Sequence, residues 1–223
     1  MTARTDLLDT LADELMARRQ ARPLRVAIDG PTAAGKTTLA DELADHLGPR
    51  APVIRAGLDG FHRPRAVRYE RGRRSAQGYY EDARDYEAVR RHLLDPLGPG
   101  GDRRFRRAIF DLEADAVLDT PVEIAAPGAV LIVDGTFLQR AEFDGAWDVV
   151  VFLDVDPATS LSRGAARDAK AMGGLDAAIA LYRERYLGAW RLYMESVGPA
   201  DRADILINHN DPSSPVVMRG IKR

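Results

Sequence analysis

Residues 30–37 read GPTAAGKT, a glycine-bounded turn closing on a lysine and a threonine. In this pattern the glycines let backbone N–H groups turn inward around phosphate oxygens. Lys36 brings positive charge to the β- and γ-phosphates, and Thr37 offers a hydroxyl to magnesium. The chemistry is nucleotide binding, with Gly30, Pro31, Thr32, Ala33, Ala34, Gly35, Lys36, Thr37 and Thr38 as the cradle. ATP and Mg2+ are the expected cofactors.

Three acidic residues fall where apolar runs end. Asp29 precedes the cradle directly, and both a turn role and a role toward metal-bound water stay open for it. Asp59, in GLDGFHRP, is placed to take the proton of an acceptor hydroxyl as a phosphoryl group transfers. Asp134 closes the run VLIVD, the way a magnesium-holding carboxylate is presented at a strand end. An NKxD guanine-reading motif and an LSGGQ-type segment are both missing, which counts against GTPases and transporter ATPases.

The elements that must carry these residues follow from periodicity. Leu7, Leu8, Leu11, Leu15 and Met16 recur at helical spacing, which predicts an N-terminal helix over residues 3–20. Short apolar runs at 24–28, 52–56, 129–133, 149–153 and 205–207 predict strands, and 37–47 predicts the helix behind the cradle. Strands alternating with helices imply a three-layer α/β fold with a central, mostly parallel five-stranded sheet and the ligand at the carboxyl ends of the strands. Residues 63–78 are Arg-rich without periodicity and read as a mobile loop. The turn cluster PLGPGGD opens a small hairpin insertion over about 96–125, covering a substrate pocket.

The bulk numbers agree with a soluble enzyme of one α/β domain. The chain has 223 residues, a net charge of -2 and a 45% hydrophobic share, with no basic footprint for nucleic acid. The absence of cysteine excludes disulfides, thiolate metal sites and cysteine nucleophiles. Charged residues interrupt the N-terminal apolar stretch, so neither a signal peptide nor a membrane span is expected, and the expected location is the cytoplasm. Self-association is left open. His46, His92 and His209 show no metal-ligand spacing.

With these motifs in view the chain resembles the uridine kinase branch of P-loop kinases, a superfamily that also holds phosphoribulokinase and bacterial pantothenate kinase. The resemblance runs through GPTAAGKT, LDGFH, VLIVDG, VFLDVDPATSLSRGAARD and ADILINH. It implies that Asp59 is the catalytic base and that a helical lid over about 160–176 brings Arg163 and Arg167 onto bound phosphates. Where the family continues its lid with further arginines, this chain reads AKAMGGLD, leaving Lys170 as the nearby cation. In the register of the family's ribose-holding segment stands GYYEDARDY, with Tyr79 at that place and Asp82 beyond it. Asp115 stands near the position of the base-reading histidine.

The substrate candidates are therefore His62, Tyr80, Asp82, Phe110 and Asp115. His62 serves equally as a loop hydrogen-bonder, Tyr79, Tyr80 and Phe110 as core, and the RRFRR run at 103–107 as a solvated hairpin or an anion site. The implied activity is transfer of the ATP γ-phosphoryl group to a hydroxyl of a small molecule, with a nucleoside such as uridine leading. A pantothenate- or sugar-kinase-like activity, and a non-catalytic nucleotide-binding regulator using 63–78 as a switch, are the alternatives.

Overall fold

The computed structural model describes residues 2–220. In chain order, α1 (Ala3–Ala17) leads into β1 (Leu24–Asp29), α2 (Lys36–Leu47) and β2 (Val53–Gly57), followed by a tight 3-10 turn (Leu58–Phe61). Next come the short helices α3 (Arg65–Arg68) and α4 (Tyr86–Val89), with a π-helical turn (Gly78–Asp82) between them. The insertion holds β3 (Arg104–Phe105), β4 (Phe110–Asp111), β5 (Ala116–Val117) and β6 (Glu123–Ile124). The chain then returns through β7 (Val130–Asp134) and β8 (Val149–Asp154) to α5 (Pro157–Met172), α6 (Leu175–Leu181) and a third π-helical turn (Tyr182–Tyr186), a second having followed α4 at Arg90–Leu94. It finishes with α7 (Leu187–Val197), α8 (Pro199–Arg202), β9 (Ile205–Asn208) and β10 (Val216–Arg219).

The central sheet runs β10-β9-β8-β1-β7-β2, parallel throughout except for β10, which lies antiparallel on β9. β1 and β7 are buried at every position, which is why both read as uninterrupted apolar runs. One face of the sheet packs on α1 and α2 through Leu11, Leu15, Leu39 and Leu43. The other packs on Phe61, Leu93, Leu94 and Phe143. This is the expected three-layer α/β sandwich with six strands instead of five. The added strand, β10, is an exposed edge whose Val216, Val217 and Met218 show no alternation of buried and exposed positions.

Two further expectations are corrected. Residues 63–78 are not an unstructured loop: α3 starts just after Pro64, whose fixed φ suits a helix start, and the π-helical turn follows. The insertion forms two separate two-residue ladders, β3 with β6 and β4 with β5, instead of one continuous hairpin. Among the described residues no helix is long and apolar enough to cross a membrane.

Candidate active site

The turn after β1 is held from beneath by a buried carboxylate. Asp29 is fully buried and accepts from the Gly30 amide at 2.8 Å, the Phe137 amide at 3.1 Å, Gln139 Nε2 at 3.1 Å and Tyr193 Oη at 2.5 Å. Burial pushes its carboxyl above the ordinary range, opposed by the Tyr193 and Gln139 hydrogen bonds. Asp29 thus ties β1 to the segment after β7 and to α7. Gly30 cannot be replaced cheaply, because a Cβ there would stand 2.7 Å from the Leu153 carbonyl oxygen.

A second support comes from His209, beyond β9. Arg4 Nη1 donates to its Nε2 at 2.7 Å. Arginine only donates, so the ring proton sits on Nδ1 and is given to the Ala34 carbonyl, also at 2.7 Å. Ser160 Oγ on α5 donates to the Thr32 carbonyl at 2.6 Å. These clamps hold Ala33 at φ 60° and Gly35 at φ 87°, the left-handed geometry the cradle requires.

Lys36 is buried, and its Nζ donates to the Pro31 carbonyl at 2.7 Å. Burial lowers its amine to about 8, against the raising effect of Asp29, Asp134 and Asp59. Thr37 Oγ1 donates to Asp134 Oδ2 at 2.5 Å, so the two residues singled out for magnesium are in contact. Arg55 Nη2, which sequence reasoning missed, holds Asp134 Oδ1 at 2.6 Å. No side chain caps the N-terminus of α2, which leaves its first-turn amides for a ligand. A chamber of about 460 Å³ opens here, lined by Thr32, Ala33, Ala34, Gly35, Lys36, Thr37 and Thr38, with Arg55, Asp59, Asp134 and Arg167. Gly30 and Pro31 are not in its lining. The donor set fits nucleotide phosphates, and the Thr37 hydroxyl with the Asp134 carboxylate are hard oxygen ligands of the kind magnesium takes.

A second chamber of about 620 Å³ adjoins the first and shares Thr32, Asp59, Tyr79, Arg84 and Arg167 with it. Asp59 sits in the 3-10 turn after β2 with its side chain 70% exposed to this space. Burial of the cleft floor opposes its ionisation. The Arg84 charge and hydrogen bond, with the Lys36 charge, nevertheless hold the carboxyl below its ordinary value. Arg84 Nη2 donates to Asp59 Oδ1 at 3.1 Å and to Tyr79 Oη at 3.3 Å. His62 Nδ1 donates to the Asp59 carbonyl at 2.9 Å, and burial lowers the ring to about 4, so it is neutral.

The remaining sequence candidates separate sharply. Arg167 reaches the junction of the chambers, bound to Asp168 at 2.7 Å and Tyr182 Oη at 3.2 Å. Arg163, one turn earlier, instead donates to the carbonyls of His209 and Asn210 and lines neither chamber. Of the substrate candidates only His62 lines the second chamber. Tyr80 points away, packed on Phe137 with Arg140 4.0 Å above its ring, while its neighbour Tyr79 takes the chamber wall. Asp82 pairs with Arg71 at 3.0 Å, and Phe110 is core on β4, opposite Val117. Asp115 accepts from the Arg65 amide and Arg68 Nη2, pinning the insertion to α3. In the 103–107 run, Arg107 pairs with Glu123 and Arg106 with Asp119. His46 bonds Asp9, and Lys170 is an exposed residue of α5.

No protein-family model matches the chain. It is similar to curated uridine kinases from Clostridium novyi (strain NT), 24% identical over 83% of this chain and 87% of that protein, and from Clostridium botulinum (strain Okra / Type B1), 26% identical over 90% and 97%. A solved structure described as a possible uridine kinase from Bacillus stearothermophilus matches with a TM-score of 0.71 at 26% identity, covering 91% of this chain and 97% of that one. Another, described as a candidate fructose transport system kinase from Silicibacter sp. TM1040, matches with a TM-score of 0.70 at 25% identity, covering 88% and 96%.

Proposed function

We propose, from the premise that this chain is a uridine kinase-like P-loop kinase, that it transfers the γ-phosphoryl group of ATP to a hydroxyl of a small molecule. The observation that carries this reading is the position of Asp59, an ionised carboxylate on the wall shared by the phosphate cradle and the second chamber. Arg84 engages Oδ1, which leaves Oδ2 for an acceptor hydroxyl. As the acceptor oxygen attacks the γ-phosphorus and the bond to the ADP oxygen breaks, the hydroxyl proton passes to Asp59. Lys36 and the cradle amides hold the phosphates in line, and Arg167 places positive charge at the junction where negative charge spreads over the transferring group. Thr37 and Asp134 are the magnesium-holding pair, and the ion when bound neutralises phosphate charge.

The regulator reading needs residues 63–78 as a free switch surface. Arg65, Arg68, Tyr69 and Arg73 of that segment instead line the second chamber, which supports an acceptor site. A nucleoside acceptor rests on the names of the relatives, and the Silicibacter protein's description points to a sugar.

Acceptor-dependent ADP release in two lid variants tests the mechanism. Arg167→Ala is expected to lower kcat about tenfold or more with ATP affinity within about threefold, because the contact strengthens as charge develops. Arg163→Ala is expected to keep kcat within about threefold and to lose thermal stability, since it ties α5 to the turn after β9. Unchanged kcat in Arg167→Ala removes that residue from the chemistry, and absence of acceptor-dependent ADP release in the parent protein removes the kinase reading.

A further inference from the structure

The second chamber is lined by the side chains of Arg65, Arg68, Arg73, Arg84, Arg167 and Arg185, against two carboxylates, Asp59 and Asp168. Arg68 and Arg84 are only 6% and 3% exposed. Each is satisfied on one side alone: Asp115 takes Arg68 Nη2, while Asp59 and Tyr79 take Arg84 Nη2. Arg68 Nε, Arg84 Nε and Arg84 Nη1 are buried without a hydrogen-bond partner among the described residues. A buried guanidinium N–H left unpaired costs on the order of 1–3 kcal/mol. Six arginines against two carboxylates give the chamber a lining whose charge is matched by the oxygens of a carboxylate or phosphate.

The walls argue against a neutral nucleobase in the same place. Arg185 lies over Tyr69 at 5.0 Å and over Tyr79 at 4.9 Å, so both rings already carry a guanidinium. The lining includes no Asn or Gln amide to read a base edge. Arg185 Nη1 also donates to the carbonyls of Arg73 and Ser75 at 3.0 and 3.4 Å, which fixes the segment that brings Arg73 to the chamber. The π-helical turns at Gly78–Asp82 and Tyr182–Tyr186 pack together in this wall, with Tyr79 of the first 4.8 Å from the ring of Tyr186 and beneath the Arg185 guanidinium of the second. Such turns recur at functional sites.

We infer that the acceptor carries, besides the hydroxyl it presents to Asp59, an anionic head group, a phosphate or a carboxylate, that docks on Arg68, Arg73 and Arg84. This inference rests on the kinase reading and narrows its substrate class from hydroxyl compounds in general to phosphorylated or carboxylated ones.

Matched compounds test it on the full chain: fructose 6-phosphate against fructose for the phosphate, pantothenate against panthenol for the carboxylate, and uridine as the neutral nucleoside. Binding is read by calorimetry without ATP, and turnover by ADP release with ATP and magnesium. The charged member of at least one pair is expected to bind about tenfold tighter or better than its neutral partner and than uridine, and the pair that responds identifies the head group. Arg73→Gln, on an exposed segment, is expected to raise KM for that compound about tenfold while kcat stays within about threefold. Arg68→Gln should do the same if its melting curve is normal. Charged compounds that bind in an Arg73-dependent way without any ADP release uphold the anion site but refute the kinase reading, and with it the assignment of that site to a phosphoryl acceptor. Turnover of uridine equal to or better than that of every charged compound refutes the inference and upholds the kinase. Failure of all charged compounds to bind also refutes it.

Discussion

In Lys36→Ala, phosphoryl transfer is expected to fall by about a thousandfold or more while the fold survives, on the scale seen when a charge aimed at a transition state is removed. Lys36 packs its stem in the cradle and makes one hydrogen bond to the Pro31 carbonyl, so little of the core depends on it. What depends on it is charge. Asp29, Asp134 and Asp59 all act on Lys36, and without the ammonium their negative field meets the phosphates uncompensated. Melting temperature should move by no more than about 4 °C, as for roughly 1 kcal/mol in a chain of this size. The same residue sets a pH dependence. Its amine is drawn down to about 8 by burial, so the ammonium that attracts phosphate prevails below that pH and is lost above it. ATP affinity in the parent protein should therefore weaken as pH rises past about 8, by up to about tenfold per unit, and the slope should vanish in Lys36→Ala. A folded Lys36→Ala protein with near-parental turnover refutes the cradle assignment.

Asp59→Asn is expected to separate binding from chemistry. The amide keeps the size and much of the hydrogen bonding, but it cannot take a hydroxyl proton. General-base contributions are about a hundredfold to ten-thousandfold, so kcat should fall on that scale with Mg-ATP binding retained in calorimetry. Arg84 loses the charge of its Asp59 partner, so a modest loss of stability is expected alongside. If ATP affinity falls instead, in a magnesium-dependent way, Asp59 belongs to the ion. If only stability changes, it is a structural partner of Arg84. Turnover within a few-fold of the parent contradicts the general-base role.

The cradle was legible because its parts are contiguous. Residues 30–38, the strand before them and the helix after them form one local unit whose glycine spacing has a single structural meaning. Asp134 was legible because β7 is buried throughout, so its apolar run ends where the strand does. The second chamber was not, because its wall is assembled from α3, two π-helical turns and α5, which are distant in sequence. Nothing in GYYEDARDY says which of Tyr79 and Tyr80 faces inward, and Arg84 is one arginine among many until burial singles it out. The family resemblance implied that Arg163 and Arg167 both face bound phosphates, yet Arg163 donates instead to carbonyls of the turn after β9. The sequence set His209 aside for want of metal-ligand spacing, and its support of the cradle was not legible because its partners Ala34 and Arg4 lie 175 and 205 residues upstream. The last strand, β10, lacked an alternating pattern because it is an edge open to solvent.

The most direct measurement follows the γ-phosphoryl group itself. The parent protein is incubated with magnesium, γ-labelled ATP and the matched acceptors above, and the fate of the label is read by mass spectrometry. The account predicts label on an acceptor hydroxyl in a one-to-one ratio with ADP, abolished in Lys36→Ala and strongly slowed in Asp59→Asn. Label released only as inorganic phosphate, or retained in ATP with every acceptor, contradicts it.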